Sequence, residues 1–394
     1  MELEGGDHQK NKQHDGRIPV AYAITVSSCR WSIIDAAAVH GYAIDRIQEQ
    51  SPRYSHRRYA FVHSTAIECA EKLRHLGYYV MILDTPVNVA KIKTRLRREI
   101  EVNGCCGSKE LMKLYTYILE EPVAIHLDTD TLLLQSIDEL FDAVLGSELS
   151  AYVHTEGNAS LPADNAGVHF MFTRDYLQGS TISFNTSKWG VQGGMFVVKP
   201  SHDQFEAIVR VVEKGQYTPL HGWGGQLFGG YWGAAQIQGL LSYVYSDNPS
   251  AVELNRCVYN NMHDHMYFEV GRRKGYCTTL QPNCTNNCRK IPFEDIKLAH
   301  LTQCTKPWTC SVYSDGFGLC TKFFDRWFQL RQELEQEWFN FHFEPPEEQF
   351  WFYNVSRGYC HQVLKPAKKQ KPGSRFKKNS GGYTPLKIPL NKKQ

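Results

Sequence analysis

Short apolar runs alternate with longer stretches of helical period in the first part of the chain. Residues 18–26, 58–63 and 78–83 are strand-like, and residues 33–47 and 66–76 between them repeat apolar side chains at the spacing of a helix face. This β-α-β-α-β order is typical of an α/β protein with a mostly parallel, Rossmann-like sheet flanked by helices.

A fourth apolar run, residues 122–127, ends in two carboxylates, Asp128 and Asp130. Ligands of open α/β sheets bind beyond the carboxyl ends of such strands. Carboxylate oxygens suit a hard cation such as Mg²⁺ or Mn²⁺ shared with phosphates. The alternative is a turn and helix cap ahead of residues 137–141.

Two polar features near these strands are candidates for binding phosphates or a nucleotide. The predicted helix over 108–119 carries Lys109 and Lys113, which lie four apart on one face. The alternative is that both lysines are ordinary exposed side chains without a role in binding. The turn after the first strand contains Ser28, whose backbone N–H group could meet a nucleotide. The other interpretation of this turn is a helix cap by Ser32.

Weaker patterns predict the rest of the fold. In chain order they indicate a strand over 149–153, a polar lid or binding segment over 155–188, a short strand after Gly193-Gly194, a helix from a Ser201 cap to 214, a helix over 234–244, an edge strand over 252–254 and a flanking helix over 323–341. Trp223 and Trp232, in a glycine-rich segment, suit either stacking on sugar rings or packing.

Charge is distributed unevenly along the 394 residues. Residues 365–394 hold ten of the Lys and Arg residues and no acid, which leaves 34 basic against 41 acidic residues in the rest. This basic tail is predicted to be a disordered, solvated extension. The body has no nucleic-acid-binding signature, so nucleic acid is not an expected partner. Contact with a membrane is expected only through the basic tail or through an anchor that this sequence does not contain.

Eight of the twelve cysteines fall between residues 257 and 360, without the paired spacing of structural zinc sites. They predict disulfides and therefore an oxidising compartment. Four glycosylation sequons, at Asn158, Asn185, Asn283 and Asn354, agree with the Golgi or another secretory lumen. The polar N-terminus has no signal-like apolar stretch, which would mean a cytoplasmic, soluble protein if it is complete.

An ordered set of motifs connects distant parts of the chain: the strand ending in Asp128 and Asp130, the Gly193-Gly194 strand, and His300 six residues before Lys306. This set resembles the glycogenin-like glycosyltransferases of family eight over residues 18–308. The resemblance implies a GT-A fold, a UDP-sugar donor, Mn²⁺ (or Mg²⁺), transfer to a carbohydrate or protein hydroxyl, and retention of anomeric configuration.

The resemblance also implies roles for individual residues. The metal ligands would be Asp128, Asp130 and His300. The implied donor-binding residues, besides the two acids, are Val26, Ser28, Ser32, Lys113, Gly193, Gly194 and Lys306. No self-glucosylated tyrosine is evident.

Three positions depart from the family pattern. Gln192-Gly193-Gly194 stands where Asn-Ser-Gly is usual, Ile237-Gln238-Gly239 stands where Asp-Gln-Gly is usual, and Gln303 replaces a glycine. The family's candidate nucleophile or sugar-orienting acid is therefore missing. Gln192, Gln236 and Gln238 become the candidate catalytic neighbours of the anomeric carbon.

The predicted organisation is a polar lead over 1–17, a glycosyltransferase domain over 18–312 with a cysteine-rich insertion near 257–290, a helical extension over 313–364 and the tail over 365–394. The predicted function is metal-dependent, retaining sugar transfer. The alternative is a nucleotide-sugar-binding protein without catalysis. A nucleotidyltransferase is disfavoured by the lack of a glycine-rich phosphate loop near Ser28. The sequence leaves the donor sugar and the acceptor open.

Overall fold

The structure, a computed structural model, describes residues 16–156, 161–162, 167–175, 190–263, 288–310, 318–339, 353–361 and 382–388. Most of the polar segment predicted over 155–188 lies outside the described residues. So do the sequons at Asn158, Asn185 and Asn283, and most of the cysteine-rich insertion.

Thirteen strands and nine α-helices are assigned within these ranges. The strands are β1 Ile18–Val26, β2 Tyr54–His63, β3 Tyr79–Leu83, β4 Ala124–Leu127, β5 Thr131–Leu133, β6 Phe170–Arg174, β7 Val191–Val198, β8 Tyr217–Thr218, β9 Gly222–Trp223, β10 Ala251–Glu253, β11 Leu298–His300, β12 Cys360–His361 and β13 Gly382–Tyr383. The helices are α1 Trp31–Gln48, α2 Ala70–His75, α3 Leu96–Val102, α4 Asp138–Leu145, α5 His202–Lys214, α6 Ile237–Val244, α7 Arg256–Tyr259, α8 Leu319–Phe339 and α9 Tyr353–Ser356. Six 3₁₀ segments connect them: Ser64–Cys69, Val89–Lys91, Gly107–Ile118, Glu148–Tyr152, Phe293–Asp295 and Pro307–Thr309.

Seven strands form one sheet in the order β10-β6-β7-β4-β1-β2-β3. Within this sheet the described pairings are parallel, except the two that β7 makes with β4 and with β6. Ile24 and Val26 of β1 pack in the cluster that contains residues of α1 and α8, and Val20 and Tyr22 pack in a cluster with residues of α4. Ala21 and Ala23 pack on the other face against Gly107–Ile118, α5 and α6. The predicted α/β class with a mostly parallel, helix-flanked sheet is confirmed.

Several local predictions agree with the structure. Strand β1 has the predicted bounds, and β10 is an edge strand. Helix α5 is capped by Ser201, whose side chain accepts from the Gln204 N–H. Its other end is Gly215, at φ +61°, the left-handed conformation that favours glycine.

Other local predictions are wrong. The strand predicted over 149–153 is the 3₁₀ segment Glu148–Tyr152. The helix predicted over 66–76 divides into a 3₁₀ turn and the short α2. Ser32 does not cap α1, because Arg30 occupies the N-cap without a side-chain hydrogen bond and Ser32 lies in the first turn.

Residues 382–388 of the basic tail are ordered and packed on the fold, which corrects the prediction of disorder for this part of the tail. There β13 pairs with β12, Leu386 is buried, and the Tyr383 hydroxyl donates to Asp35 at 2.9 Å. Tyr383 also stacks on Trp31, with ring centroids 5.0 Å apart. The apolar side chains that interrupt the lysines of the tail supply this packing.

Four disulfides occur among the described residues, as the cysteine content predicts: Cys29–Cys69, Cys257–Cys288, Cys304–Cys320 and Cys310–Cys360. Within the same residues, no helix has both the length and the apolar character needed to cross a membrane.

Candidate metal and donor site

Asp128 and Asp130 lie at the carboxyl end of β4, in the tight turn that leads to β5. The Asp128 N–H donates to the Gly194 carbonyl at 2.8 Å, and the Asp128 carbonyl accepts from both the N–H and the hydroxyl of Thr131. Because β7 runs antiparallel to β4, its first residues lie beside this turn. The β5 strand then pairs with β11 and places Thr131 opposite His300.

His300 completes a cluster of three possible metal ligands. One ligand atom from each of Asp128, Asp130 and His300 lies within 4.8 Å of the others. The His300 Nε2 atom is 3.4 Å from Asp130 Oδ1, and its Nδ1 atom is 3.1 Å from the Asn260 side-chain oxygen. With its proton on Nδ1, His300 donates to Asn260 and turns the Nε2 lone pair to the cluster.

Each carboxylate also has its own lysine. Lys306 Nζ pairs with Asp130 Oδ2. Lys113 Nζ is 2.8 Å from Asp128 Oδ1, 2.8 Å from Glu110 Oε2 and 3.1 Å from the Gly193 carbonyl. The Lys113 side chain is 5% exposed and the Lys306 side chain 28%, so Lys113 is an internal group and Lys306 reaches solvent.

The two acids differ electrostatically. Burial raises the pKa of Asp130, but Lys306 and His300 more than offset it and hold that pKa well below its usual value. For Asp128, burial raises the pKa, Lys113 only partly opposes the rise, and the charges of Glu110 and Asp130 add to it. A bound cation would favour the ionised form of both acids.

The double glycine makes room for side chains of the protein. A Cβ atom on Gly194 would lie 2.3 Å from His300 Cε1. A Cβ atom on Gly193 would lie 3.0 Å from both Ile237 and Gln238. Gly194 therefore leaves the space that the His300 ring occupies.

The three glutamines have different surroundings. Gln192 Oε1 accepts from the Gly194 N–H at 2.6 Å and from Asn260 at 3.0 Å, which places it beside the ligand cluster. Gln238 holds β7, because its oxygen accepts from the Gly193 N–H and its nitrogen donates to the Trp232 carbonyl. Gln236 is buried and donates to the Ile100 carbonyl at 2.9 Å.

The turn after β1 lies at the same edge of the sheet, since β1 and β4 are parallel neighbours. Val26 is buried at the end of β1, and Ser28 and Ser32 are partly buried. Lys109, the other helix lysine, donates to the Ser27 carbonyl at 3.1 Å and the Thr65 hydroxyl at 2.7 Å. It therefore fixes this turn.

Glu110 and Asn260 belong to the site although the sequence argument did not single them out. The only signal in the sequence was the spacing of Glu110, three residues before Lys113. Among the tryptophans, Trp223 is a packing residue that is 0% exposed and donates to the Ala234 carbonyl, whereas Trp232 is 62% exposed.

Comparisons with known proteins gave structural matches only. No family model and no curated protein matches the chain. A galactosyltransferase, LgtC, in complex with donor and acceptor sugar analogs is 14% identical, with TM-score 0.45, over 82% of this chain and 99% of that one. Mouse xyloside xylosyltransferase 1 is 11% identical, with TM-score 0.43, over 73% and 98%. The glycosyltransferase GlyE of Streptococcus pneumoniae is 12% identical, with TM-score 0.42, over 82% and 64%.

Proposed function

We propose that the chain is a GT-A glycosyltransferase. It would use Mn²⁺ (or Mg²⁺) to transfer a hexose or related sugar from a UDP-sugar, with retention, to a hydroxyl group of a carbohydrate or protein. The observation that carries the proposal is the meeting of Asp128, Asp130 and His300 at the carboxyl end of a central strand, beside Lys306.

The residues present fit the implied cation. Two carboxylates and an imidazole suit Mn²⁺, and the contact between His300 Nδ1 and Asn260 supplies the outer hydrogen bond that metal-bound histidines usually have. When bound, the cation would neutralise charge on the departing diphosphate.

The chain's own groups divide the remaining work. Lys306 reaches solvent and is the charge best placed to stabilise the diphosphate, a role for which a point charge suffices. Lys113 is enclosed by three acceptors and orients Asp128 and β7. Gln192 is the amide in contact with the ligand cluster, and we assign it the place beside the sugar.

Asp128→Ala tests the assignment, with Glu206→Ala on the exposed side of α5 as the acidic control. Each variant is measured by UDP release from a panel of UDP-sugars with Mn²⁺. Turnover should fall about a hundredfold or more in Asp128→Ala, since metal stabilisation of a leaving group is worth several kcal/mol. Undiminished turnover in that variant would refute the site.

The second candidate function is nucleotide-sugar binding without transfer. Its support is the missing acid: Ile237 stands where the family has a carboxylate, and the neighbouring Gln238 is occupied by two backbone hydrogen bonds. Calorimetric binding of UDP and Mn²⁺ without UDP release from any donor in the panel would favour it.

The disulfides agree with a secretory lumen, and we propose the Golgi or a related compartment. Mapping the cysteine pairs and the sequons of the protein purified from cells would test this location.

A further inference from the structure

Two neighbouring cysteines lie outside the four disulfides, in the loop that leads into Gly107–Ile118. Cys105 Sγ and Cys106 Sγ are 2.7 Å apart, and Cys105 is exposed. The two sulfurs already lie against each other, so a bond between them requires local adjustment of the peptide that joins the two residues, and the exposure of Cys105 admits a reagent.

Two glycines determine the shape of this loop. Gly104 has φ +145° and Gly107 has φ +63°, both of which are strained for other residues. A Cβ atom on Gly104 would also lie 1.8 Å from Gln236 Oε1, and one on Gly107 would lie 2.4 Å from Glu101 Oε2. The closeness of the two sulfurs therefore follows from the packing of the loop against α3 and the residue before α6.

The thiols are connected to the candidate metal site by a chain of polar contacts. Cys105 Sγ donates to Glu110 Oε1 at 3.2 Å. The other oxygen of Glu110 is 2.8 Å from Lys113 Nζ, and Lys113 Nζ is 2.8 Å from Asp128 Oδ1. The charge and hydrogen bonding of Glu110 thus bear directly on a proposed metal ligand.

We propose that Cys105 and Cys106 form a modification site, a dithiol that a disulfide-bonded oxidant converts to a vicinal disulfide, and that this change is transmitted through Glu110 and Lys113 to Asp128. The modification site is independent of the proposed function. Its effect on cation binding rests on that function.

The reaction is two successive thiol–disulfide exchanges. In the dithiol form the Cys105 S–H donates to Glu110; when Cys106 loses its proton, that S–H can turn to the Cys106 sulfur instead. This hydrogen bond lowers the pKa of Cys106 and makes Cys106 the attacking thiolate. Its sulfur bonds to one sulfur of the oxidant R–S–S–R, and RS⁻ departs. The Cys105 sulfur then bonds to Cys106 Sγ and releases the second RS⁻. The two protein protons end on two RSH molecules, so the protein loses two electrons and the oxidant gains them.

Oxidation removes the S–H groups from which Glu110 accepts hydrogen bonds. Glu110 then depends more on Lys113, and Lys113 holds Asp128 less tightly. A cation therefore competes more easily for Asp128. One hydrogen bond of ordinary strength corresponds to about a fivefold change in affinity, so the apparent Kd for Mn²⁺ should fall about fivefold.

The test treats the full chain with glutathione disulfide, blocks remaining thiols by alkylation and weighs the peptide that carries residues 105 and 106. We expect a loss of two hydrogens with no alkyl group on that peptide, and calorimetry should show tighter Mn²⁺ binding. Cys106→Ser should form no such bond and show no change in affinity. Glu110→Gln should form the bond but show a much smaller change in affinity.

Mixed glutathione adducts or free thiols at both positions would overturn the modification site. A Kd that is the same in both states would overturn the transmission to Asp128. Absence of Mn²⁺ binding in both states would overturn the transmission and the proposed function together, while the peptide mass would still decide the modification site. The four structural disulfides, mapped in the same digest, confirm that each variant is folded.

Discussion

Asn260 offers the sharpest test of how the site is built, because the next residue is a matched control. Its side chain makes three hydrogen bonds: it donates to the Thr173 hydroxyl at 2.7 Å and to Gln192 Oε1 at 3.0 Å, and its oxygen lies 3.1 Å from His300 Nδ1. Asn261 also makes three, with the carbonyls of Cys257 and Cys288 and with the His263 N–H. Both residues are buried, and Asn260 alone contacts the proposed histidine ligand through its side chain.

Asn260→Ala and Asn261→Ala should therefore lose similar amounts of stability. Three hydrogen bonds at about 0.5–1.5 kcal/mol each correspond to roughly 1.5–4.5 kcal/mol of unfolding free energy in either variant. Only Asn260→Ala releases the His300 ring, and loss of an outer partner of a metal-bound histidine costs about 10–100-fold in metal affinity.

The assays are urea unfolding for stability and calorimetric titration with Mn²⁺ for affinity. We expect the Kd of Asn260→Ala to rise about 10–100-fold, while that of Asn261→Ala stays within about threefold of the parent value. If the two variants lose equal affinity, the weakening comes from general loosening of the fold, and the orienting role of Asn260 is refuted.

Three further predictions concern the lysines, a buried histidine and a disulfide. Lys113→Ala should lower the unfolding free energy by about 3–5 kcal/mol, because the partly buried carboxylates of Glu110 and Asp128 lose the buried lysine that is their shared counter-ion. Lys306→Ala should cost under about 1 kcal/mol and lower UDP release instead, so urea unfolding and donor turnover separate the two variants. Burial lowers the pKa of His56 to about 4, so between about pH 6.5 and pH 4 the unfolded chain binds a proton at this residue that the folded chain does not. The unfolding free energy is therefore unaffected by the protonation of His56 above about pH 6.5 and falls as the pH drops through this window. His56→Phe should flatten the fall of the urea midpoint between pH 7 and pH 4.5, and an unchanged slope would contradict the assignment. Paired replacement of Cys304 and Cys320 by Ala should lower the unfolding free energy by about 3 kcal/mol, the value for a loop of this length, as urea unfolding would measure. It should also lower UDP release, because Cys304 lies two residues before Lys306.

The sequence predicted the parts of the fold that depend on local pattern. The apolar run before Asp128 is a buried strand, and Ser201 caps α5, because periodicity and capping chemistry act over a few residues. Residues 149–153 are also largely apolar, yet the 3₁₀ segment Glu148–Tyr152 covers most of them, since a strand needs a partner that the pattern alone does not supply.

The site was predictable only as far as a motif reached. Asp128 and Asp130 were predicted as site residues because they end an apolar strand. His300 was predicted only from the family resemblance, since the residues around it in the sequence give no such signal. Asn260 meets its partners through tertiary contacts with β6, β7 and β11. Glu110 pairs locally with Lys113 and joins the site because Lys113 contacts the distant Asp128. From the sequence, Lys113 was expected to lie at the surface. It is buried between two carboxylates, Glu110 three residues before it and Asp128 fifteen residues after it.

The disulfides that follow the site have a consequence for biosynthesis. Cys304 and Cys310 flank Lys306, and their partners Cys320 and Cys360 are synthesised later. A nascent chain that has emerged through β4 therefore carries Asp128 and Asp130 long before β7, His300 and the loop with Lys306 are in place around them. The proposed binding of cation and donor should be acquired only near the end of translation, and a prematurely released chain would carry the acidic turn without Lys306.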